Sequence, residues 1–135
     1  AITHDDKKLY HVSSLQKKVF CYDKNNTTLS NKRIFFELDP KDGYPDGLTI
    51  DKENFIWLAV WGGAKVIRIS TDGEVNKIIT FPTSQITSCV FGGSEMNILF
   101  VTSASVGKNI SEDVHAGNLF SVKTNKKGVP SPHFG

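Results

Sequence analysis

Cysteine occurs only twice in these 135 residues and proline five times. No apolar run approaches the ~18 residues that a membrane helix needs. Cys21 and Cys89 stand far apart without metal-type or redox-type spacing, which excludes a disulfide scaffold and a cysteine-based zinc site. Both thiols are expected to lie reduced inside strands. An excess of either charge is also missing. Lys plus Arg number 16 against 14 Asp plus Glu, and the basic residues are scattered, so nucleic acid is not an expected partner. His4, His11, His115 and His133 have no zinc-type spacing, and Gly92-Gly93-Ser94 lacks the trailing glycine of a nucleophile elbow. The opening residues Ala1–Asp6 have neither the basic end nor the apolar core of a signal peptide. With 39% hydrophobic and 22% charged residues, the composition is that of a folded chain and not of a disordered one.

What is present is a repeat. Three short β-rich runs, Lys8–Val12, Phe55–Val60 and Ile98–Thr102, carry aromatic centres at Tyr10, Trp57 and Phe100, spaced 47 and 43 residues apart. A second strand follows each, at Val19–Tyr22, Val66–Ile69 and Leu119–Val122. An insert around Gly107–Asp113 lengthens the last interval. Another apolar stretch precedes each aromatic run, at Ala1–Thr3, Gly47–Ile50 and Ser88–Phe91. A fourth strand is expected near Arg33–Phe36, Asn76–Thr80 and, weakly, Gly128–Pro132. Turns rich in Asn, Asp and Gly separate these segments, and no segment sustains a helical period. Four short strands recurring at about 40 to 50 residues are the pattern of propeller blades. The expectation is an all-β partial propeller with blades at about 1–40, 41–82 and 83–135. Three blades do not close a ring, because a propeller needs at least about four. Ala1 falls inside a repeat unit, so truncation or cleavage of a longer chain is expected.

In order and spacing, Tyr44-Pro45-Asp46-Gly47-Leu48-Thr49-Ile50-Asp51, Ile56–Gly63, Phe81–Gly93 and Leu99–Ala104 resemble the family of gluconolactonase, regucalcin (senescence marker protein) and the luciferin-regenerating enzymes. The resemblance implies a six-bladed propeller of which this chain is the C-terminal half, and a lactone substrate. It further implies a divalent metal, calcium first, with zinc, magnesium or manganese as alternatives. Asp46 is then both metal ligand and general base. A hard cation suits oxygen ligands, polarises a carbonyl and acidifies bound water. Taken alone, Pro45-Asp46-Gly47 reads as a turn. The spacing of Asp39, Asp42 and Asp46, with Pro40 and Pro45 among them, does not fit an EF-hand. The family's other ligands, a Glu and an Asn, match no position here, so the chain alone is expected to be inactive.

By the repeat alignment Thr87 corresponds to Asp46, and with Gln85 it is a candidate for contact with substrate. Trp57 is expected in the core and Trp61 at the channel mouth. Val12-Ser13-Ser14 and Ser103-Ala104-Ser105 each lack a charged residue that many members have at the rim, which leaves the lactone's identity open. The rival reading is a non-catalytic, calcium-binding regulatory propeller. A third is a half-propeller scaffold completed by the N-terminal half or by a second copy of the chain. A cytoplasmic location follows from the resemblance and the absence of paired cysteines.

Overall fold

The computed structural model describes residues 1–130. Ten strands build it: β1 (Lys8–Ser13), β2 (Lys18–Asn25), β3 (Thr28–Glu37), β4 (Tyr44–Ile50), β5 (Ile56–Trp61), β6 (Lys65–Ile69), β7 (Val75–Thr80), β8 (Ile86–Gly92), β9 (Ile98–Ser103) and β10 (Leu119–Lys123). A single 3-10 turn, Pro40–Asp42, precedes β4. No helix among the described residues is long and apolar enough to cross a membrane. The strands form three antiparallel sheets, β1-β2-β3, β4-β5-β6-β7 and β8-β9-β10. Hairpins join neighbours through residues that tolerate left-handed backbone, such as Asn26 at φ 53° between β2 and β3.

Four strands per unit were expected, and among the described residues only the middle sheet has them. Residues 1–3 run beside β1, with Ala1 and Tyr10 exchanging backbone bonds and Ile2 opposite Leu9, but they form a stub instead of a strand. The expected fourth strand of the last unit does not extend its sheet. After β10 the Thr124 hydroxyl donates to the Lys126 carbonyl (2.7 Å) and helps turn the chain, so Gly128 pairs with Asp51 of the middle sheet. The rest of that segment, Ser131 and Pro132, lies outside the described residues.

Burial explains the stacking. Along β5 every residue from Ile56 to Val60 has 0% exposure. Ile56, Leu58 and Val60 join a core shared with Tyr10, Val19 and Cys21 of the first sheet, whereas Trp57 and Ala59 join a second core with Ile86, Cys89, Phe91, Leu99 and Val101 of the third. The period of two thus sends alternate side chains into two different cores. Each fully buried large apolar side chain contributes about 1.5–3 kcal/mol. Both cysteines are free and buried, and the Cys89 thiol donates to the Trp57 carbonyl (3.3 Å). Burial pushes the Cys89 thiol up to about 12.

At one end of the middle sheet, a buried ion pair anchors the turn between β4 and β5. The Asp51 carboxylate accepts from the N–H groups of Glu53 (2.9 Å) and Phe55 (3.1 Å), from Trp57 Nε1 (2.9 Å) and from Arg68 Nε (2.8 Å). The Arg68 guanidinium lies 3.9 Å from the Phe55 ring centroid and donates onward to Asn76 and Glu53. Such a pair is tolerated in the interior because every polar atom has a partner, and removing one member of a buried pair costs about 3–5 kcal/mol. His4 from the first sheet's stub (Nε2 to the Asp51 carbonyl, 2.8 Å) and Lys126 from the third sheet's tail (to Glu53, 2.6 Å) join the same turn.

Candidate functional site

Asp46 lies within a strand, not a turn. β4 is an edge strand of its sheet, so Pro45 has no lost ladder bond to replace. Pro45 pairs with Val60 and Leu48 with Leu58, which leaves one residue too many on β4 between them. This is a β-bulge, the device that re-aims a side chain out of regular alternation. Pro45 is buried and Leu48, three residues on, packs against the first core, so the parity of burial changes across Asp46-Gly47. β8, the first strand of the next sheet, lies against β4 and repeats the step: Ile86 pairs with Ser103 and Ser88 with Thr102, placing Thr87 at the matching position. The two strands approach so closely at Gly47 that a Cβ there would overlap the Ser88 side chain.

The Asp46 side chain is half-buried, and among the described residues no side chain hydrogen-bonds or ion-pairs with it. Burial raises its carboxyl above the ordinary aspartate value, opposed only by the Gly47 N–H. Two depressions meet at this residue. One, of about 270 Å3, is lined by Ser14, Leu15, Tyr44, Pro45, Asp46 and Trp61. The other, of about 590 Å3, brings Asp46, Gly47 and Leu48 together with residues of β1 and β2, including His11 and Tyr22. Asp46 and Trp61 therefore share a concavity.

Thr87 stands on the neighbouring strand β8 and Gln85 just before it, their side chains engaged within the protein. Trp61 and Gln85 form a single bridge pair between the two sheets. Gln85 Nε2 donates to the Val106 carbonyl (2.9 Å), leaving Oε1 buried without a partner among the described residues. The Thr87 hydroxyl meets that of Thr102 at 2.7 Å. Of the other residues in the smaller depression, Ser14 belongs to the Val12-Ser13-Ser14 segment that the sequence reading set at the rim, whereas Leu15 and Tyr44 were not singled out. Tyr44 had a signal, since it directly precedes the Pro-Asp-Gly run. Leu15 had none, because it reaches Asp46 only through the stacking of one sheet on the next.

A hard divalent cation takes about six to eight oxygens. Asp46 offers one carboxylate, and among the described residues no group of three or more His, Cys, Asp or Glu side chains is placed to hold an ion. A half-buried carboxylate with no side-chain partner among the described residues suits such a cation as one donor of a set, and these residues do not complete the set.

Comparison with known proteins places this geometry in context. Residues 1–105 match the family model described as the SMP-30/Gluconolactonase/LRE-like region. Regucalcin of Danio rerio is 35% identical over 93% of this chain, which spans 45% of that protein. L-arabinolactonase of Azospirillum brasilense is 34% identical over 96% of the chain and 44% of its own length. Among solved structures, the calcium-binding protein regucalcin from Agrobacterium tumefaciens superposes with a TM-score of 0.87 at 26% identity, over 97% of this chain and 46% of that one. The chain thus spans about half the length of the relatives it matches.

Proposed function

Because the chain belongs to the SMP-30/Gluconolactonase/LRE-like family, we propose that its three sheets are propeller blades of a metal-dependent sugar-lactone hydrolase, to which it contributes one metal-binding carboxylate, Asp46. The observation that carries this reading is the Asp46 bulge: a half-buried carboxylate without a side-chain partner, turned into a concavity beside Trp61. The name of the L-arabinolactonase relative supports the substrate class.

The reaction adds one water across the ring ester. The acyl carbon–oxygen bond breaks, and a hydroxy acid leaves. A divalent cation, when bound, would supply Lewis-acid polarisation and acidify water, with Asp46 as the one carboxylate donor among the described residues. In its ionised form Asp46 accepts the proton that water loses on attacking the carbonyl, and then returns it to the departing ring oxygen. Trp61 supplies an apolar wall for one face of the sugar ring. Gln85 and Thr87 belong to the adjoining rim, Thr87 through its hydroxyl pair with Thr102 and Gln85 by holding the loop that carries Val106.

In the complete protein, Asp46→Asn is expected to lower kcat for sugar-lactone opening by roughly 100-fold or more, with the fold retained by circular dichroism. A rate within a factor of about two of the parent would sink the assignment. Calcium titration of the same two proteins addresses the second reading, favoured by the description of the Agrobacterium regucalcin as calcium-binding. Calcium binding that depends on Asp46, without hydrolysis of any sugar lactone, would make the protein a calcium-binding propeller and not an enzyme.

A further inference from the structure

The connection from β9 to β10, residues 104–118, is far longer than its counterparts in the first and middle sheets, 14–17 and 62–64. It leaves the third sheet at the end where Asp46 stands: Ser103 faces Ile86 at the start of β8, as Trp61 faces Tyr44 at the start of β4. Its bonds fix the direction in which it leans. The Ala104 N–H donates to the Gln85 carbonyl (2.9 Å), Gln85 Nε2 donates to the Val106 carbonyl (2.9 Å), and the buried Thr83 hydroxyl donates to Asp113 Oδ2 (2.8 Å). All three bonds involve residues 81–85, which carry the chain from the middle sheet to the third. That same connection is tied to the β5–β6 turn, where the Ala64 N–H donates to the Ser84 carbonyl (3.2 Å), and Gln85 bridges Trp61. The insertion therefore leans back across the junction of the middle and third sheets, toward Trp61. Hydrogen bonds, more than core packing, hold it there. Among its residues only Ala116 is buried, while Val106, Ile110 and Val114 are 71%, 53% and 63% exposed. The fastening is also incomplete. Gln85 Oε1 and Asp113 Oδ1, both on residues that anchor the insertion, are the buried side-chain atoms left without a partner among the described residues. A buried acceptor without a donor is costly, so the position of the insertion depends closely on the few bonds that are made.

We propose that the 104–118 insertion is the wall that limits substrate size at the Asp46 site, and that the Thr83–Asp113 bond holds this wall in position. The inference rests on the catalytic reading above and adds a substrate class to it: single-ring sugar lactones are admitted, and lactones with a bulky substituent are kept out. One row of residues across adjacent strands joins the insertion to the site. Gly47, next to Asp46, touches Ser88; Thr87, next to Ser88, pairs its hydroxyl with Thr102; and the insertion begins two residues after Thr102. The exposed Val106, Ile110 and Val114 give the wall an apolar surface. Thr83 and Asp113 are positioning residues, since they act on the substrate only through the segment they fasten.

In the complete protein, Asp113→Ala releases the insertion, whereas Asp113→Asn keeps an oxygen for the Thr83 hydroxyl. Two readouts test the pair against the parent: hydrolysis of a pentonolactone compared with that of the lactone of a disaccharide acid, and tryptic cleavage after Lys108, which reports on the insertion apart from activity. The parent and Asp113→Asn are expected to favour the pentonolactone and to resist cleavage at Lys108. Asp113→Ala is expected to be cut there about 10-fold faster or more. Its preference in kcat/KM is expected to fall by about 10-fold, through a lower KM for the larger lactone, while kcat for the pentonolactone stays within about a factor of two of the parent. Faster cleavage with the preference unchanged would overturn the wall, and unchanged cleavage would overturn the anchor. A parent that opens both lactones equally well would overturn the proposal too. A parent that opens neither would sink the catalytic reading and this inference with it, so the two failures are distinguishable.

Discussion

At Asp46, burial pulls the carboxyl upward and the Gly47 N–H pulls it down, and burial wins. An acid whose folded value is raised above its unfolded value holds its proton longer in the folded state. Stability therefore falls as pH climbs from the ordinary aspartate value of 3.8 through the raised one, and stays lower above it. Asp46→Asn removes the buried charge, so it is expected to raise Tm at pH 7, with the gain disappearing once pH drops below that window. Thermal melts of both proteins from pH 3 to pH 7 check the sign; equal Tm differences at the two ends would mean the carboxylate carries no desolvation cost. A carboxylate desolvated without a side-chain partner among the described residues is in this sense a local weakness of the fold. Asp51 is the contrasting case, a buried carboxylate with four donors, and its pairing with Arg68, 17 positions away, was not legible in the sequence. Only the register that sets Trp57 opposite Arg68 brings the two side chains together.

Among the elements, the pair β4 and β8 sets the position of the candidate site. Gly47 lets the two strands touch, so Gly47→Ala is expected to cost about 1–3 kcal/mol through overpacking against Ser88. A companion Ser88→Gly change should recover part of the loss in urea melts, and failure to recover any would place the strain elsewhere. The strands themselves were legible because short β-rich runs bounded by Asn- or Gly-bearing turns mark them locally, as in Phe55–Val60 against the observed β5. The stub at residues 1–3 and the tail at Gly128 were not, since one is too short to ladder and the other is drawn aside by the Asp51 turn. The Pro-Asp-Gly run had two readings, a turn or a site, and the structure gives it a third form: a bulge inside a strand. Local propensity alone does not distinguish these, because bulge and turn draw on the same residue types.

For the whole molecule, the two cores each hold one thiol, Cys21 in the first and Cys89 in the second. Burial raises both, Cys89 to about 12, so the nucleophilic thiolate is scarce as well as hidden. Alkylation at pH 8 is expected to be slow at both sites in buffer and to accelerate in step with global unfolding as urea is added. Fast labelling of Cys21 or Cys89 without denaturant would reveal that its core opens independently of the rest. The arrangement of sheets also bears on how such a molecule comes to have a definite size. Because the forward side of one layer differs from the back side of the next, the stack has a direction, and no single junction carries a signal to stop. In a closed ring of blades the number of layers follows from the tilt accumulated between them, as the number of bricks in an arch follows from their taper. An insertion such as residues 104–118, confined to one layer, leaves that count untouched, whereas a small change in how two layers meet is multiplied at every junction.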